Sequence, residues 1–251
     1  MHLYRCELVL HDYLFFATTE RGKVAETGPF VHNYALTYAL GWAHSPWRSE
    51  VQEPHYPEEL AAAWRAEAAY VMPAALIQGG YIISQYNTMP ESYDLGKPTS
   101  AAYPDWGFAK CLRPAAHFRF YVLSRERKGF PRYIRLGKFM AKAELRVEHA
   151  QQLSRAVGPC QADTLLAWDD LAVKPFVFDL RADALPTRLV NHACFADVPY
   201  LKARFPNGEV ALPLAAGYMA AVEERTKKVF ERCKRCKESL KFLETALCDS
   251  W

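Results

Sequence analysis

The stretch HFRFYVLSRERKGFPRYIRLGKFMAK, residues 117–142, decides the fold class. Residues 117–123 alternate, with Phe118, Phe120 and Val122 facing one way and His117, Arg119 and Tyr121 the other, the period-two pattern of a strand. Residues 132–136 alternate too, setting Arg132, Ile134 and Leu136 opposite Tyr133 and Arg135. Gly129 and Pro131 lie between them, so the spacing predicts a hairpin joining the two. Between positions 110 and 142 stand ten Lys and Arg against one acid, Glu126, a local charge of +9 in a chain whose net charge is only +3. Cations interleaved with Phe118, Phe120, Tyr121, Phe130, Tyr133 and Phe139 suit a surface that tracks a nucleic-acid backbone and stacks on unpaired bases. The same composition also fits a solvated basic face beside buried strand aromatics.

Outward from this stretch, strands and helices intersperse. Residues 3–10 read as a strand with Tyr4, Cys6, Leu8 and Leu10 on one face. A long ordered loop with Gly22, Gly28 and Pro29 follows, and a helix over 32–40 stops at Gly41. A second helix is predicted over 58–70, after Pro57, and a strand over 81–86. Pro90, Gly96, Pro98, Pro104 and Gly107 make residues 88–107 a second long loop or the tip of a protruding hairpin. Residues 175–180 form a short apolar strand, and Asn207-Gly208 marks a hairpin between 200–205 and 209–214. From Tyr218 onward, Val222, Val229, Cys233, Cys236, Leu240, Leu243 and Leu247 make one stripe of a long amphipathic helix. The expected class is α+β: a body over residues 1–216 with a ferredoxin-like or RNA-recognition-like core and a thumb insertion near 84–110, then a C-terminal amphipathic helix over 217–251.

Composition narrows the function classes. At 251 residues the chain hides roughly 70–75% of its unfolded surface, enough for a core without disulfides or structural metal. Seven dispersed Cys read as reduced thiols of a cytoplasmic protein, no stretch has the length of a membrane span, and the N-terminus lacks the pattern of a signal peptide.

Several enzyme signatures are missing. Gly137-Lys138 ends like a phosphate loop, but the glycine needed five positions earlier is Arg132 and the next residue is Phe139. There is no G-x-S-x-G and no H-E-x-x-H. Cys233-x-x-Cys236 has the spacing of half a zinc site, but no second pair lies nearby and both thiols fall on the apolar stripe, so packing is the expected role. The segment LHDYLFFATTERGKVAETGPFVHNYALTYALG carries Thr18, Thr19, Arg21 and Lys23 into a helix opening at His32 and Asn33, whose free N–H groups suit a phosphate. Equally, Asn33 caps that helix while His32 and Tyr34 pack.

That segment carries a resemblance. LHDYLFFAT, ERG, ET and HNYALTYALG, followed later by PRYIRLGKFMAKAELRVE at 131–148, resemble the two signature blocks of the Csc-one group, the Cas-five-type subunit of type I-D CRISPR Cascade complexes. The resemblance implies an RNA-recognition-like fold of the repeat-associated superfamily and a subunit with no required catalysis or cofactor. Such a subunit grips the 5′ handle of the guide crRNA and caps the filament of backbone subunits. It also contacts the large subunit and target DNA near the protospacer-adjacent motif, with no membrane involved.

On this reading Arg21, Lys23, His32 and Asn33 form one side of the handle site, and Arg135, Lys138 and Lys142 the other, with Arg119 a further member. Tyr93, Lys97 and Trp106 belong to the projecting element that touches a neighbour or the guide. Two rivals stand beside it. One is a metal-independent ribonuclease using His117, Tyr121 and Lys138 on precursor RNA; the other is a scaffold whose basic stretch meets acidic protein partners.

Overall fold

A computed structural model describes residues 1–45, 55–88, 105–162, 164–171 and 173–214. In chain order the elements are β1 (His2–Leu10), β2 (Thr19–Arg21), β3 (Val24–Glu26), β4 (Phe30–Val31), α1 (Asn33–Ala39), α2 (Tyr56–Glu67), β5 (Ala69–Val71), β6 (Ala74–Gln78), β7 (Tyr81–Thr88) and β8 (Asp105–Leu112). There follow β9 (His117–Ser124), β10 (Tyr133–Leu136), β11 (Ala141–His149), β12 (Gln152–Gln161), β13 (Leu166–Ala167), β14 (Val177–Arg181), β15 (Leu189–Phe205) and β16 (Gly208–Pro213). The class is α+β, with far more strand than helix among the described residues.

The strands form three sheets. The largest runs β10-β11-β1-β9-β6-β4, with β5 also on β9. β2-β3-β8-β7 make a second sheet, in which β3 and β8 are parallel. The third is organised by the 17-residue β15, flanked on one edge by β12 and β13 and on the other by β16 and β14.

The strand β9 explains the layering. Its predicted inner face, Phe118, Phe120 and Val122, is fully buried in a core with Tyr4, Cys6, Leu8 and Leu10 of β1. On the opposite face Tyr121 and Leu123 are buried as well, in a second core with Trp64, Leu201 and Phe205. The third sheet covers that end of β9, so apolar residues there face protein on both sides.

Several expectations need correction. Residues 117–123 and 132–136 do not form a hairpin with each other: β1 inserts between them, pairing with β9 on one side and β11 on the other, and β10 turns back onto β11. The loop after β1 contains the β2–β3 hairpin, turning at Gly22 with φ +62°, and the short β4. α2 stops at Ala68, whose left-handed φ of 48° ends the helix, and Ala69–Val71 pairs with β9 as strand. The last hairpin turns on Pro206 and Asn207, because Gly208 already pairs with Phe205. Residues 84–88 and 105–110 belong to the antiparallel β7–β8 pair, the arms of a hairpin in the four-stranded sheet. The tip of that insertion and the C-terminal stripe with Cys233 and Cys236 lie outside the described residues.

Candidate nucleic-acid interface

The turn from β10 to β11 brings exposed cations and rings together. Alternation buries Ile134 and Leu136 and turns Tyr133 and Arg135 outward. Tyr133 is 40% exposed. Lys142 Nζ stands 4.1 Å from its ring centroid, the Arg132 guanidinium 5.4 Å, and the His11 ring meets it edge-on at 5.8 Å. The result is an aromatic face bordered by cations, the combination that stacks a base while holding its phosphates.

Glu144 anchors the rim from below. Its carboxylate accepts from Arg146 at 2.9 Å and pairs with Arg132 at 3.5 Å, and the Arg146 hydrogen bond is the chief reason its pKa lies below the ordinary carboxylate range.

Gly137 sets the turn. Its φ is +70°, and an added Cβ would stand 2.5 Å from the Phe15 carbonyl oxygen, so only glycine fits. That carbonyl accepts from Lys138 N at 2.8 Å, Arg135 Nη1 donates to the Met140 carbonyl at 3.0 Å, and Phe139 stacks on Phe15 at 5.1 Å. Lys138 and Phe139 are thereby presented on the surface, Phe139 at 60% exposure.

Phe15 also reaches the second sheet, packing on Ala109 and Cys111 of β8. That sheet carries Arg21 and Lys23. Lys23 Nζ lies 4.6 Å from the centre of the exposed Trp106 ring, beside a cleft of about 220 Å3 lined by Tyr86 and Gly107. Arg21 is held loosely to Glu26 at 3.6 Å, and Lys110 donates to Glu26 at 2.9 Å, the main cause of that carboxyl's lowered pKa. Trp106 was assigned to a thumb contact and Lys23 to RNA, and the two share one patch.

His32 and Asn33 are corrected. Both are buried, 5% and 0% exposed. His32, not Asn33, caps α1: its Nδ1 accepts from Tyr34 N at 3.2 Å, and Nε2 therefore donates, meeting the Thr187 carbonyl at 3.1 Å. Asn33 donates to Asp170 at 3.1 Å and Tyr70 at 3.3 Å, with Tyr70 donating to the same Asp170 oxygen at 2.9 Å. These side chains tie α1 to the third sheet and are not available to a strand of RNA.

Arg119 is likewise occupied. Glu7 accepts from Arg119 Nε at 2.7 Å and pairs with His117 at 3.0 Å, in a cleft of about 360 Å3 that Arg5, Arg146, Glu148 and Asn207 complete. Lys128 pairs with Glu67 at 2.8 Å. Lys110, Arg119 and Lys128 of the basic stretch are thus met by acids from β3, β1 and α2, as Arg132 is by Glu144. Tyr93 and Lys97 lie outside the described residues. Tyr133 and Phe139 stood among the rings that the sequence offered for stacking, and Arg132 among its cations, but none of the three was placed in the handle site; the outward position of Tyr133 is present in the alternation of 132–136.

Among the described residues no cluster of three or more His, Cys, Asp or Glu is placed to hold a metal ion, and no helix is long and apolar enough to cross a membrane.

Comparison with curated proteins gives no match. Among solved structures, the chain is similar to one in a cryo-EM structure of the Type III-B Cmr-beta bound to cognate target RNA and AMPPnP, at 9% identity and TM-score 0.43, over 77% of this chain and 86% of that one. It is also similar to a crystal structure of a CRISPR protein from Archaeoglobus fulgidus, at 10% identity and TM-score 0.44, over 85% of this chain and all of the other. The family comparison is specific and nearly full-length: the sequence model of the type I-D CRISPR-associated protein Cas5/Csc1 matches residues 1–221, and the chain belongs to that family.

Proposed function

We propose that this type I-D CRISPR Cascade subunit is a non-catalytic cytoplasmic protein that binds the 5′ handle of the crRNA, caps the backbone filament, and adjoins the large subunit and target DNA near the protospacer-adjacent motif. The observation that carries the reading is the Tyr133 face bordered by Lys142 and Arg132, continued by Arg135, Lys138 and Phe139 along the turn. A short single strand is held by phosphate contacts and base stacking, and this rim offers both. Lys23, Arg21 and Trp106 on the neighbouring sheet extend the surface through Phe15.

An RNA-recognition-like core is part of the proposal. The strand order β11-β1-β9-β6, with both helices between β1 and β6, favours it. Against the full pattern, no helix separates β9 from β11.

A ribonuclease built on His117, Tyr121 and Lys138 is the weaker reading, since Tyr121 is buried at 3% exposure and His117 is engaged by Glu7. The deciding experiment is titration of purified protein with a labelled handle oligonucleotide across a salt series, run beside incubation with precursor RNA. Salt-dependent binding without cleavage is expected. Salt-independent binding, or cleavage at the repeat, overturns the reading.

A further inference from the structure

The connection from β9 to β10 is tied to the first sheet at both ends of residues 128–132. Lys128 N donates to the Tyr4 hydroxyl at 2.9 Å, and Leu145 N donates to the Arg132 carbonyl at 2.8 Å. Alternation in β11 turns Leu145 and Val147 toward this segment, away from the face of Glu144 and Arg146, and β1 sets Tyr4 opposite His149. A cavity of about 370 Å3 lies among these groups, within the size range of ligand sites.

Its lining is aromatic, apolar and basic. The buried Tyr4 ring meets Phe130 edge-on at 5.0 Å and His149 at 5.1 Å. Leu145, Val147 and Pro131 supply apolar wall. Burial first, then His2 and Arg127, hold the His149 pKa below the ordinary imidazole value, so its ring is neutral at about pH 7. Lys128 is met by Glu67 at 2.8 Å, which leaves Arg127 and Arg132 to supply the charge. Among the described residues no carboxylate lines this cavity, whereas Glu7 and Glu148 line the cleft at Arg119, and Glu20 the cleft at Lys23. Flat rings, apolar walls and two arginines match a nucleobase with its phosphate.

Arg132 joins the cavity to the Tyr133 platform. It lines the cavity, and its guanidinium stands 5.4 Å from the Tyr133 ring. Tyr133 pairs with Glu144, however, so its ring lies on the opposite face of the sheet from Leu145 and Val147. Only the four-residue edge strand β10 separates the two faces there.

From these relations we propose that the cavity receives one base of the bound strand: the RNA turns over the β10 edge at Arg132, so that a base on Tyr133 and its neighbour in the cavity lie on opposite faces of the sheet. The phosphate between them rests on Arg132, with Arg127 beside it. This rests on the handle-binding reading of the platform and adds an enclosed base subsite to it.

The test uses the full chain and handle oligonucleotides that each carry one abasic position, moved stepwise along the strand. Two adjacent abasic positions are expected to lose affinity by about fivefold to a hundredfold. Tyr133→Ala removes the penalty at one of them. Phe130→Ala removes the penalty at the other and keeps the one that depends on Tyr133, a pattern that general loosening of the fold does not produce. A second measurement needs no variant: 5-iodouridine is placed at each position in turn, irradiated on the native chain and mapped by peptide mass spectrometry. Adducts on Tyr133 from one position and on Tyr4, Phe130 or His149 from the next are expected. Oligonucleotides that bind and link to Tyr133, with no position linked to the cavity rings or dependent on Phe130, overturn the subsite and leave the platform standing. Failure of every oligonucleotide to bind overturns both.

Discussion

Phe15 and Phe139 stack at 5.1 Å with 25° between their planes, while the Phe15 carbonyl accepts the N–H of Lys138. One residue near the start of the chain therefore holds the β10–β11 turn in place and connects it to the sheet that carries Lys23.

Gly137→Ala is the sharpest test of that arrangement. Left-handed backbone at a non-glycine residue costs about 1–2 kcal/mol, and the new Cβ would also press on the Phe15 carbonyl. Chemical denaturation is expected to show at least that loss, and handle affinity is expected to fall because Lys138 and Phe139 shift together.

At the platform itself, Tyr133→Ala is expected to weaken handle binding by about 1–3 kcal/mol, the worth of one stacked base. Tyr133→Phe keeps the ring and the flanking Lys142 and Arg132, and retains affinity. Fluorescence anisotropy with a labelled handle checks both.

The cations read as a salt slope. Lys138→Ala with Arg135→Ala is expected to lower the slope of log K against log salt by about 0.7 per lost phosphate contact on a single strand. Arg135 also braces the Met140 carbonyl, so Lys138→Ala alone is the cleaner of the two.

His32→Ala is expected to cost stability and not RNA contacts. It strips the N-cap from Tyr34 N and the bond to Thr187, a loss of about 1–3 kcal/mol. Denaturation midpoints are expected to fall, while the affinity of the folded fraction for the handle is unchanged.

Acid acts through Glu26 and Glu144. Both carboxyls titrate below their ordinary range, chiefly because of hydrogen bonds from Lys110 and Arg146 respectively. A depressed folded-state pKa contributes stability that is fully present above the unfolded value and is lost as pH falls through the folded one. Denaturation between about pH 6 and pH 3 is expected to show that decline, and Glu26→Gln with Glu144→Gln is expected to flatten it.

The legible parts of the molecule were those set by local pattern. β1 and β9 show their inner faces as alternation, and α1 stops before Gly41 as predicted. What needed the folded chain was pairing over distance. β1 separates β9 from β11 although it lies more than a hundred residues upstream, and Val24 of the short β3 pairs with Phe108. Charge behaved likewise: the +9 of the basic stretch reads as one field in the sequence, yet Glu7, Glu26 and Glu67 arrive from β1, β3 and α2 to meet it. His32 and Asn33 looked like a phosphate-binding helix start because nothing local announces Thr187 or Asp170.

Adjacent residues Phe120 and Tyr121 belong to different cores, one on each side of β9. Opening either core exposes a flank of the same strand, so the first and third sheets share their fate. A single melting transition is expected, with β9 amides the last to exchange, and a truncation that discards the third sheet would leave a β9 without a dry interior on both flanks.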